Sequence, residues 1–223
     1  MGPLAECLRV VRADHRGHGG SPVPPGPYAL ADLGADVLAL LDRLGLERAS
    51  FCGLSLGGMV GIWLAAHAPE RVERVALLCT SSRMDPEMWR SRAAAVRALG
   101  TVSIAEAVVE RWFTPGFAAR KPVVVARMHT MVGSTPSEGY AGCCAAIEGM
   151  GIDADLARIA APMLVVAGAD DPATPPEHGE RIVAAVPGAR LEVVPDAAHL
   201  ASWEQAETVT RLVLDHVNGG SDP

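Results

Sequence analysis

Four short apolar runs, Ala49 to Cys52, Val72 to Cys79, Met163 to Ala167 and Leu191 to Val194, constrain this chain more than any other feature. Each is too short for a buried helix and has the near-continuous apolar character of a strand covered on both faces. Helical patterns separate them. Leu30, Leu33, Val37, Leu38, Leu40, Leu41 and Leu44 recur at helical spacing, with Gly45 as a stop. Leu56 to His67 reads as a helix closed before Pro69, and His178 to Val186 as another. Parallel neighbours need crossover helices, so this alternation predicts an α/β fold: a mostly parallel sheet with helices on both faces.

A further apolar, β-branched run, Leu8 to Ala13, reads as a strand leading into a Gly-rich turn, His15 to Ser21, and a Pro-rich loop through Pro27. From Arg83 to Ala160 the pattern changes to helix-like segments rich in Ala, Arg and Met, as expected of an inserted helical cap. The organisation is therefore residues 1–82 and 161–217 as two parts of one core, 83–160 as the cap, and 218–223 as a disordered tail. Ser202 is expected to cap the last helix in a capping box with Gln205, and Leu212, Val213 and Val217 to form its buried face.

Composition narrows the function classes. With 223 residues, 49% of them apolar, the chain can bury one sizeable core. A net charge of −7 argues against a basic nucleic-acid or anionic-membrane surface. No apolar run approaches the roughly 20 residues of a membrane span, and Met1 to Ala13 lacks the order of a signal peptide, so the expected location is cytoplasmic. The five cysteines include no C-x-x-C pair and read as buried free thiols. His15 and His18 read as loop structure rather than a metal pair, and no metal or organic cofactor is expected.

Gly53-Leu54-Ser55-Leu56-Gly57 follows a predicted strand and opens a predicted helix, the context a G-x-S-x-G nucleophile elbow requires. The glycines serve a turn that holds the serine in a strained conformation where flanking side chains would collide. A serine hydroxyl is a poor nucleophile at neutral pH, so a histidine must take its proton and an acid must orient that histidine. Asp171 follows the third of the four runs and His199 the fourth, each at a carboxyl end, where open α/β sheets gather functional loops. Asp170 is a rival that spacing alone does not separate from Asp171, and Asp196 stands too close to His199 in sequence to be preferred.

Beyond these residues, the elbow G-L-S-L-G-G-M, the turn D-H-R-G-H-G-G-S at Asp14 to Ser21 and G-A-D-D-P-A-T-P-P at Gly168 to Pro176 resemble the enol-lactonase branch of the α/β-hydrolases. More specific are R-W-F-T-P-G-F at Arg111 to Phe117, E-G-Y-A-G-C-C-A-A-I at Glu138 to Ile147 and A-A-H-L-A-S-W-E-Q at Ala197 to Gln205. The resemblance implies a 3-oxoadipate enol-lactone hydrolase of aromatic-compound degradation, with Ser55 as nucleophile, Asp171 as orienting acid, His199 as base and the Leu56 N–H in the oxyanion hole. The substrate carboxylate wants a cation, for which Arg111 and Arg16 are the candidates, an exposed salt bridge being the alternative role for each, while Trp112 and Met131 are candidates either to line the pocket or to pack within the cap. The expected partner is thus a small lactone or ester.

Relative to that fold, strands one to three are expected to be missing before Leu8, which would leave the Leu8 to Ala13 strand without its lateral partner and remove a second oxyanion donor. The alternatives are a carboxylesterase or cofactor-free perhydrolase with the same triad, and, from another class, an inactive fragment or a hydrolase-derived binding protein.

Overall fold

The computed structural model describes residues 2–219, and the four runs form β1 (Ala49–Leu54), β2 (Val72–Leu78), β3 (Met163–Gly168) and β4 (Arg190–Val194). They pair in the order β1-β2-β3-β4, each pair parallel. Alternate side chains go to opposite faces. Val75, Leu77, Met163 and Val165 join one buried cluster, whereas Ala76, Leu78, Leu164 and Val166 join another. Both faces being covered explains why these strands carry so few polar residues.

The helices supply the cover. Among the described residues, α1 (Gly2–Cys7) and α2 (Leu30–Arg43) precede the sheet and α3 (Leu56–His67) crosses from β1 to β2. The helices α4 (Pro86–Leu99), α5 (Val102–Val109), α6 (Pro115–Arg120), α7 (Pro122–Gly133) and α8 (Ser137–Glu148) form an insert between β2 and β3. Then α9 (Pro176–Ala185) links β3 to β4, and α10 (Ala201–Glu204) and α11 (Ala206–Val217) close the chain. α3 is apolar almost all round because it is buried between the sheet and α2. Its approach to α2 requires Gly34, where a Cβ would fall on the Trp63 ring. On the other face α11 presents Val209 and Val213, each burial worth about 1.5–3 kcal/mol. The insert has its own cluster, formed by Ala105, Val109, Phe113, Phe117, Met128 and Val132.

Three expectations need correction. Leu8 to Ala13 is not a strand: it makes no ladder among the described residues, and Val11 is 43% exposed. β-branched composition favours extended backbone, but a strand exists only where a neighbour completes its hydrogen bonds, and β1 pairs with β2 alone. Ser202 does not cap the last helix. α10 starts at Ala201 after Leu200, and the chain turns at Gln205 before α11 begins. Finally, Asn218 and Gly219 form a turn closing α11, while the rest of the expected disordered tail lies outside the described residues.

Candidate active site

Because all four strands run the same way, the loops after β1, β3 and β4 emerge at one edge of the sheet. Ser55 stands in the first, Asp171 in the second and His199 in the third.

Ser55 has φ 53° and ψ −115°, an unusual conformation for a residue with a side chain. Such geometry costs about 1–3 kcal/mol and persists only where its surroundings enforce it. Here they do. The Ser55 N–H donates to the Leu78 carbonyl at 2.9 Å, and the Thr80 hydroxyl donates to the Ser55 carbonyl at 2.7 Å. A Cβ on Gly53 would strike the Gly57 carbonyl, and one on Gly58 would lie 2.6 Å from the Thr80 side chain, so the turn closes only with glycine at both places. The Ser55 hydroxyl forms no capping hydrogen bond to α3. Leu56 is the first residue of α3, so its N–H is one of those a helix start leaves without an intrahelical acceptor.

Asp171 and His199 are brought together. Their side chains are 0% and 7% exposed, and His199 Nδ1 donates to Asp171 Oδ2 at 2.8 Å. The Thr174 hydroxyl donates to that same oxygen at 2.7 Å and lies 3.3 Å from His199 Nδ1. The other oxygen, Oδ1, accepts the N–H groups of Ala173 at 2.7 Å and Thr174 at 3.1 Å. Burial opposes ionisation of Asp171, but the bonds from His199 and Thr174 outweigh it and hold the carboxyl below its ordinary pKa. A carboxylate there accepts rather than donates, so a neutral imidazole carries its proton on Nδ1 and its lone pair on Nε2. Asp170 points elsewhere: it is exposed, and its N–H donates to the Ala197 carbonyl at 2.9 Å.

Further hydrogen bonds tie the residue after β2 to β3 and to the loop after β4. The Cys79 N–H donates to Val166 at 2.7 Å, and the Cys79 thiol to the Ala198 carbonyl at 3.9 Å. Among the described residues no hydrogen bond joins Ser55 to His199 directly.

The expected substrate contacts fare unevenly. Arg16 is committed to α2: its Nε and Nη2 each donate to Asp36 at 2.6 Å, and Nη2 also reaches the Asp32 carbonyl. Arg16 thus stands in an ion pair with α2, one of the two roles its sequence allowed. Met131 is 50% exposed, on the insert's surface. Arg111 is half-buried and reaches the Pro172 carbonyl, beside Asp171, at 3.5 Å. Trp112 packs on the insert's cluster and its carbonyl accepts from Leu200 N–H at 2.9 Å. His15 is partly buried beside the elbow, where a Cβ on Gly57 would lie 3.9 Å from its Nε2. Burial, then the neighbouring His18, push the His15 pKa below its ordinary value.

Two residues of this region were missed in the sequence, Thr174 and Glu204. The signal for Thr174 is indirect: Asp171 in a Pro-rich loop favours an Asx turn, its carboxylate accepting the N–H two residues on, and Thr174 follows directly after that turn. Glu204 has no local signature, since its partners, Ala198 and Thr114, come from two other segments.

Residues 3–206 match the family model of the alpha/beta hydrolase fold. The chain is 40% identical over 205 residues to 3-oxoadipate enol-lactonase 2 of Acinetobacter baylyi, an alignment covering 92% of this chain and 76% of that protein. It is 35% identical to 3-oxoadipate enol-lactonase 1 of the same organism, covering 94% and 78%. Among solved structures, the enol-lactonase from Burkholderia xenovorans LB400 superposes with a TM-score of 0.95 at 41% identity, over 97% of this chain and 84% of that one.

Proposed function

As the chain belongs to the alpha/beta hydrolase fold family and is a hydrolase, we propose that it opens 3-oxoadipate enol-lactone to 3-oxoadipate through Ser55, His199 and Asp171. The observation that carries this reading is the strained Ser55 on the same sheet edge as a buried Asp171–His199 pair whose Nε2 is left free. The relatives' names supply the substrate.

Ser55 Oγ attacks the lactone carbonyl while His199 Nε2 takes its proton. The Leu56 N–H faces the oxyanion. The ring C–O bond then breaks, the leaving oxygen departs as an enol carrying that proton, and the acyl group stays on Ser55. An enolate is stabilised by resonance, so this departure needs less acid assistance than an amine's. Activating water is therefore the heavier duty of His199. One water attacks the acyl carbonyl, His199 takes one of its protons and returns it to Ser55, and the product acid leaves, releasing the second proton to solvent as it ionises. With Arg16 committed to Asp36, Arg111 is the cation proposed for the substrate's own carboxylate. The insert, residues 83–160, acts as the cap over this site. Among the described residues no helix is long and apolar enough to cross a membrane.

The test is kcat/KM on the enol-lactone against a neutral aryl ester, in the native chain and in Arg111→Ala. The lactone should be preferred and the preference should fall in the variant. A higher value for the neutral ester would favour a general carboxylesterase.

A further inference from the structure

The carboxylate of Glu204 joins two segments far apart in sequence. Oε1 accepts the Thr114 N–H at 2.9 Å and the Thr114 hydroxyl at 2.6 Å, while Oε2 accepts the Ala198 N–H at 2.6 Å. Thr114 begins α6 of the insert, where its hydroxyl also accepts the Phe117 N–H at 3.2 Å. Ala198 precedes His199 and is 1% exposed. A second strand of contact runs beside the first, from the Leu200 N–H to the Trp112 carbonyl. The residues flanking His199 are thus both held by the insert's Trp112–Thr114 loop, one of them through a side-chain carboxylate.

We infer that Glu204 is a positioning residue, which ties Thr114 of the insert to Ala198 and so fixes where His199 stands over Ser55. The inference rests on the reading of His199 as the base. Its physical ground is the strength and direction of charge-assisted bonds: three donors fill one carboxylate from two sides, so neither segment moves without stretching a bond. The chemical identity of the group matters as well. Glutamine would turn an N–H₂ toward donors on one side, and aspartate, one methylene shorter, would reach only one partner.

The experiment compares Glu204→Gln, Thr114→Val and Thr114→Ser in the full chain, with His199→Ala as control. A misplaced base should cost roughly 10- to 100-fold in kcat with KM little changed, the size expected for shifts of about 1 Å in a catalytic group. The rate of fluorophosphonate labelling of Ser55 should fall in parallel. Thr114→Ser, which keeps both donors, should restore kcat, and Thr114→Val should lower it even if Glu204→Gln fails to fold. Folded Glu204→Gln and Thr114→Val with native kcat and only a lower melting temperature would overturn the inference. If His199→Ala itself keeps activity, the reading of the site falls, and the inference with it.

Discussion

Removing one methyl-sized hydroxyl, in Thr174→Val, isolates what holds the acid of the site. Valine matches threonine in shape, so no cavity opens, and the two backbone N–H groups on Asp171 Oδ1 remain. What is lost is the 2.7 Å bond from Thr174 Oγ1 to Oδ2 of a buried carboxylate. A hydrogen bond to a charged group is worth about 1.5–3 kcal/mol. At this chain length each kcal/mol moves the melting temperature by about 2–4 °C, so a fall of roughly 3–12 °C at neutral pH is expected. The pH dependence carries the sign. The folded Asp171 pKa lies below its ordinary 3.8, so its contribution to stability is complete above that value and is lost as pH falls through the folded one. Losing one of the bonds that lower it raises the folded pKa toward the ordinary value, so the acid limb of stability should be smaller in the variant and end at a higher pH. Differential scanning fluorimetry from pH 7 to pH 3 measures both effects. A melting temperature within 1 °C of the native chain, with an unmoved acid limb, would refute the account of Asp171.

Two other perturbations follow from the elbow and its neighbour. Gly53→Ala places a Cβ on the Gly57 carbonyl and should cost about 1–3 kcal/mol or more with loss of hydrolysis, read by denaturant unfolding and a chromogenic ester; a native-like variant would contradict the close approach. Burial and His18 lower the folded pKa of His15, outweighing the opposing pull of Asp36 and Asp14, so the folded chain binds fewer protons there than the unfolded one. Stability should therefore fall as pH drops from the ordinary 6.5 through the folded value, and His15→Asn should flatten that slope in melting temperature between pH 7 and pH 5.

How legible the site was depends on the range of the interactions involved. The strands were readable to within two residues at either end, because burial on both faces leaves a plain apolar run in the chain. The placement of Ser55, Asp171 and His199 at strand ends was readable too, since it follows from strand direction alone. Leu8 to Ala13 misled because Leu8, Val10 and Val11 report a local preference, whereas a ladder needs a partner that no local pattern specifies. A salt bridge was readable as a role for Arg16, but its partner was not, since Asp36 lies 20 residues away on α2. The Ser202 and Gln205 pattern satisfied a local rule and lost to distant bonds: Glu204 is drawn to Ala198 and Thr114, and the Gln205 amide donates to the Asp196 carbonyl at 3.0 Å. Glu204 went unnoticed for the same reason, as Thr114 lies 90 residues away, whereas Thr174 sits only three residues from Asp171 and its signal was local.

The central claim is that Ser55 is an activated nucleophile, and reaction with a fluorophosphonate followed by mass-spectrometric location of the adduct tests it most directly. The account predicts one adduct per chain, on the peptide bearing Ser55, absent in Ser55→Ala and slowed by orders of magnitude in His199→Ala. An adduct on another residue, or no adduct on a chain that folds cooperatively, would contradict it.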